Sequence, residues 1–92
     1  MTVVAMIKFG RTLTDREYGK SIAAALAQAG PLPWVLDFRG VISLGSSCGD
    51  EILSAVAAKQ NSQVQTMNAN QAVRSCLEKV AEDLKVTISF TD

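Results

Sequence analysis

The stretch Trp34–Val56, WVLDFRGVISLGSSCGDEILSAV, holds most of the information in this chain. Trp34 to Phe38 is a short, nearly continuous apolar run, the pattern of a strand covered on both faces. A linker leads to Ser46 and Ser47. From Ser47 to Gln60 the spacing predicts a helix with Ile52, Leu53 and Val56 turned inward. The two serines therefore stand at a strand-to-helix junction, where backbone N–H groups point outward and hydroxyls can be reached. Serine is a preferred N-cap and Ser47-x-x-Asp50 resembles a capping box, so capping alone accounts for both residues. Asp50 and Glu51 are expected in the first helical turn, where the dipole favours negative charge.

Working outward, Val3 to Phe9 is β-branched and apolar, is bounded by Gly10, and predicts a strand. Thr14-Asp15-Arg16-Glu17 has capping-box form with Thr14 as N-cap. Tyr18, Ile22, Ala25, Leu26 and Ala29 then share one helical face, leaving Arg16 and Lys20 to solvent. Gly30-Pro31-Leu32-Pro33 stops that helix. Val64 to Met67 predicts another strand. Asn68 with Gln71 is expected to cap a third helix whose inner face is Val73, Cys76, Leu77, Val80 and Leu84. Val86 to Phe90 alternates Val86, Ile88 and Phe90 inward and gives a last strand. The order β-α-β-α-β-α-β, with connections too long for hairpins, predicts a single α/β domain over 1–92. Its sheet has about four strands, mostly parallel or mixed, with helices packed on it.

Composition narrows the function. Of the 92 residues, 48% are hydrophobic and 20% charged, the balance of a soluble globular chain. Nine basic residues offset nine acidic ones, so neither nucleic acid nor an anionic membrane gains a long-range pull, and neither is expected as a partner. Histidine is absent, which removes the commonest general base and metal ligand; no metal or cofactor is expected. Cys48 and Cys76 match no zinc or CxxC spacing and fit free thiols in a reducing cytosol. The start MTVVAMIKFGR does not read as a signal peptide, and no run reaches the length of a membrane span.

Val35-Leu36-Asp37-Phe38-Arg39-Gly40-Val41 resembles the strand motif of STAS domains, and Ser46-Ser47 falls where those domains carry a serine pair at a helix start. The acidic Asp50 and Glu51, and the Arg-Glu-x-Gly run at Arg16–Gly19, are similar to the uncharacterised bacterial STAS-like set. Gly45 stands where the motif has aspartate and Cys48 where it has glycine. The resemblance implies a non-enzymatic, cytoplasmic switch domain of the anti-sigma factor antagonist type. Such domains bind a GHKL-type ATPase or kinase and are released when a serine at this junction is phosphorylated. It places partner binding on Asp37, Arg39, Gly45, Ser46, Ser47, Asp50 and Glu51, with Ser46 and Ser47 as the phosphorylation candidates. Two alternatives stay open. Cys48, at a helix N-terminus that can lower a thiol's pKa, suggests a small thiol enzyme or redox protein. Val86 to Phe90, as an exposed edge strand, suggests a homodimer or larger scaffold.

Overall fold

The computed structural model describes residues 1–91. Thr2–Ala5 forms β1, and its parallel register with β3 (Trp34–Asp37) runs from Thr2 opposite Trp34 to Ala5 opposite Asp37. The predicted strand stops there because β3 ends at Asp37 and offers no further ladder. Met6–Phe9 instead coils into a 3-10 turn that buries Met6, and the Gly10 N–H donates to the Ile7 carbonyl at 2.9 Å. β5 (Gln63–Met67) pairs with β3, and β6 (Thr87–Thr91) with β5, both parallel. The sheet order is β1-β3-β5-β6, parallel throughout. Two short strands that hydrophobic periodicity does not predict, β2 (Thr12–Leu13) and β4 (Ser43–Leu44), form a second parallel ladder.

Each crossover steps the same way across the sheet, and right-handed crossovers then place all three helices on one face. Burial agrees. Val4, Leu36 and Thr66 occupy one row and are buried, whereas Val3 in the adjacent row is 51% exposed and Ser89 at its other end is exposed. The other face carries no helix, contrary to the two-sided cover expected of β3. Val35 is nevertheless buried, because Val3 and Gln65 flank it in register. Phe38, Met6, Leu13, Leu36, Leu53 and Leu77 are among the largest fully buried side chains of one continuous core. Each contributes about 1.5–3 kcal/mol by leaving water.

Three helices fall where they are predicted, but their ends shift. α1 (Arg16–Leu26) is capped by Asp15, whose carboxylate accepts from the Tyr18 N–H at 2.6 Å, and not by Thr14. Thr14 follows β2, and its backbone lies hard against Gly45. Tyr18 points to solvent and donates its hydroxyl to the Phe9 carbonyl. Its expected inward place belongs to Gly19, where a Cβ would lie 2.9 Å from the Cα and carbonyl oxygen of Cys48. The absent side chain lets α1 press directly on α2 (Ser46–Lys59). Ala29 lies beyond the helix and only packs against the core edge.

α3 (Gln71–Leu84) is capped by Asn70, which accepts from Val73 N–H at 2.8 Å; Asn68 does not cap it. Asn68 turns the chain at φ 59° and donates its amide to Asp37. Val73, Leu77, Val80 and Ala81 are buried, while Cys76 and Leu84 sit at the margin of the stripe. In β6, Ile88 and Phe90 are half-buried, and Phe90 is roofed by the Arg74 guanidinium at 4.3 Å. Val86 precedes the strand and packs against the core from its edge.

Candidate functional site

The strand order never reverses, so among the described residues the sheet has no switch point of the kind where open α/β sheets ordinarily bind ligands. A concavity lies instead in the helix layer, beside the expected site residues. What the sequence reads as a linker, Arg39–Gly45, is held along its length. The Ile42 N–H donates to the Arg11 carbonyl at 2.7 Å, β4 pairs with β2, and the Gly45 N–H reaches Leu13 at 2.7 Å. Asn70 adds bonds from its amide to the carbonyls of Val41 and Ile42. The start of α2 is thereby anchored to β2 and to α3.

α2 begins one residue earlier than expected, at Ser46, with Gly45 as N-cap and no side chain capping it. Gly45 is there for space: a Cβ would sit 2.4 Å from the Thr14 carbonyl oxygen. The capping explanation of Ser46 and Ser47 is therefore corrected. Ser46 is exposed and Ser47 half-buried in the first turn, where backbone N–H groups lack intrahelical acceptors. Asp50 and Glu51 fall in the second turn, beyond the dipole's strongest reach.

Those two carboxylates have a different partner. Arg16, at the first position of α1, donates from Nη1 to Asp50 Oδ2 at 3.1 Å and to Glu51 Oε2 at 2.5 Å. The bonds to Glu51 and then Asp50 raise the guanidinium above its ordinary value. Arg16 is thus exposed, as expected, and also bridges the starts of two helices. A cation in a first turn opposes the helix dipole, and that misplacement was the one sign of its role in the sequence.

Arg16, Ser46, Ser47 and Asp50 line a groove of about 270 Å³ with Val80, Asp83 and Leu84 of α3. Four of the expected site residues are thus placed together at the α2 start: Ser46, Ser47 and Asp50 in the groove, and Glu51 on the same arginine. Gly45 supports them as the helix cap. Asp37 and Arg39 do not line the groove. Asp37 Oδ1 accepts from the Arg39 N–H and from Asn68 Nδ2, both at 3.0 Å, tying the ends of β3 and β5 together. Asp83 was not singled out, and Val80 and Leu84 were read only as the inner face of a helix, because they approach the serines from over thirty residues away.

Cys48 is fully buried, and burial, with Asp15 and Cys76 adding to it, pushes its thiol up to about 11. The position near a helix N-terminus would lower it, but desolvation wins. Cys76 is raised as well, again by burial, and both thiols are free. Among the described residues no cluster of three or more His, Cys, Asp or Glu could hold a metal ion, and no helix is long and apolar enough to cross a membrane.

No family model, no characterised protein and no solved structure matches this chain.

Proposed function

We propose that this chain is a non-enzymatic regulatory domain of the STAS-like type, acting in the bacterial cytoplasm through a protein partner. Its binding surface is centred on Ser46, Ser47, Asp50 and Glu51, with Arg16 as a further member. The observation that carries this reading is the uncapped start of α2: two serines, one of them exposed, beside a groove and free of capping duty. A buried thiol that stays protonated far above neutral pH favours binding over thiol chemistry.

A GHKL-type ATPase or kinase is the partner class that the resemblance suggests, with phosphorylation of Ser46 or Ser47 as the switch. Physical chemistry is compatible with such a switch. A phosphate at the α2 start would meet unpaired N–H groups and the favourable end of the dipole, so the fold should tolerate it. Its charge of about −1.5 to −2 would still alter the face that a partner reads.

Replacing Ser46 and Ser47 together by Asp tests the proposal. The thermal melt should stay within a few degrees of wild type while capture of a GHKL-type ATPase from host lysate is lost. Unfolding of the double variant, or the same captured proteins on both baits, would remove the reason to place the interface here.

Self-association is a second reading with its own observation. β6 is an edge strand, and its residues Thr87–Thr91 include neither a charge nor a proline to discourage pairing. Its check is the mass in solution across a range of concentrations.

A further inference from the structure

Three of the large apolar side chains left in water, Ile7 at 37%, Tyr18 at 39% and Ile42 at 56%, lie at one end of the molecule. The contacts that place them together are specific. Ile7 packs on Gly40, where a Cβ would lie 3.2 Å from Ile7 Cδ1. The Arg11 carbonyl accepts from Ile42 N–H at 2.7 Å, and the Tyr18 hydroxyl donates to Phe9. The 3-10 turn with β2 thus runs beside the Arg39–Ser43 segment.

These same two segments carry Lys8, Arg11 and Arg39, all exposed, and among the described residues none of the three forms an ion pair. Lys8 is held over the Phe9 ring at 5.3 Å. The acid nearest Arg39 in sequence, Asp37, already accepts from Arg39 N–H and Asn68. A chain of zero net charge has therefore gathered around exposed aliphatic and aromatic groups three cations that have no ion pair among the described residues.

We infer that this rim, Ile7 to Arg11 with Arg39 to Ile42 and Tyr18, docks an acidic protein segment bearing aliphatic side chains. Charge complementarity names the sign of the partner, and carboxylates on a segment that also bears aliphatic side chains would satisfy both the three cations and the apolar groups beside them. The apolar centre inside a polar rim is the anatomy of a protein contact. Three cations are few for a nucleic-acid track, and the rim has a single exposed aromatic on which a base could stack. This surface is separate from the Ser46–Ser47 groove, so either can fail without the other.

The test pans a random peptide library on the full chain, then measures a fluorescein-labelled winner by anisotropy and by amide shifts in the labelled protein. Winners should be rich in Asp and Glu with at least one aliphatic residue, and should perturb amides 7–13 and 39–43. Their Kd should rise about tenfold or more in a Lys8→Glu, Arg39→Glu double variant and with added salt. It should rise in Ile42→Ser and stay unchanged in the double Ser→Asp variant. Lys8, Arg39 and Ile42 are exposed, so the melts of these variants should hold. Winners without acidic residues, shifts confined to Ser46–Glu51, or a Kd indifferent to charge reversal would overturn the inference. So would tighter binding to phosphatidylserine vesicles or poly-U than to the peptide, or self-association abolished by Arg39→Glu.

Discussion

The three helices of this domain begin in two ways. α1 and α3 start with a side chain closed onto the backbone: Asp15 takes the Tyr18 N–H, and Asn70 takes that of Val73 while its amide grips Val41 and Ile42. α2 starts on a glycine, followed by two serines that do not cap it. The sequence around α2 is the richest of the three in good capping residues, yet it is the helix left without a side-chain cap. Packing decides this. Gly45 sits where the backbone of Thr14 leaves no room for a Cβ, and the serines follow one and two residues too late. At α1 and α3 polar side chains serve the fold; at α2 they remain available to something else.

Supplying the missing cap should therefore harm the protein. Gly45→Ser places the preferred capping residue at the N-cap, but its Cβ must displace the Thr14 carbonyl from 2.4 Å. Such overpacking costs about 1–3 kcal/mol, each kcal/mol being worth roughly 4–8 °C in Tm for a chain of this size. A Tm equal to or above wild type would show that α2 lacks only a cap, and the contrast with α1 and α3 would lose its cause.

The thiol in the same turn sharpens the point through pH. Cys48 titrates at about 11 in the folded chain against an ordinary 9.0, so the folded state holds its proton longer than the unfolded state does. Its stabilising contribution is complete below about pH 9 and is lost as pH rises toward 11, where the unfolded chain has released the proton. Two units correspond to about 3 kcal/mol at most. Melts from pH 8 to 11 should fall more steeply for wild type than for Cys48→Ala; parallel curves would mean that the helix start, rather than burial, governs this thiol.

Much of the fold was legible. Runs of two periods, helical and extended, announce the alternating elements, and the Gly30–Pro33 break is unmistakable because proline cannot donate to a ladder or continue a helix. The junction at Ser46 was placed to within a residue. What escaped is either too short to show a period or too distant to show in sequence. β2 and β4 have two residues each, and Thr12 and Ser43 pair across thirty-one positions. Arg16 meets Asp50 and Glu51 at separations of 34 and 35. Caps shifted by one or two residues because Thr14 against Asp15, and Asn68 against Asn70, are chemically equivalent choices. Close backbone packing at Gly45 and the bond from Asn68 to Asp37 decide between them.

Removing the caps that do exist gives effects of intermediate size. Asn70→Ala forfeits the bond to Val73 and two bonds to the segment before β4, a loss of about 1–2 kcal/mol. Asp15→Ala forfeits the bond to Tyr18 alone, a loss of about 1 kcal/mol. Denaturant midpoints should rank the two variants in that order. The reverse order would mean that the α3 start is not what ties down the path into α2.

The smallest effect belongs to the serines. Ser46→Ala and Ser47→Ala remove hydroxyls that cap nothing, so each should change stability by less than about 0.5 kcal/mol. Alanine even has the better helix propensity, by a few tenths of a kcal/mol. The near-zero value is informative because the same chemical deletion at a capping serine costs about 1 kcal/mol. A cost of that size at Ser47 would mean that its hydroxyl closes onto the backbone in solution, making α2 a helix like the other two. A neutral result leaves two hydroxyls beside Arg16 and Asp50 with no part in holding the fold, and loss of partner binding in the same variants would then have to arise at the surface itself.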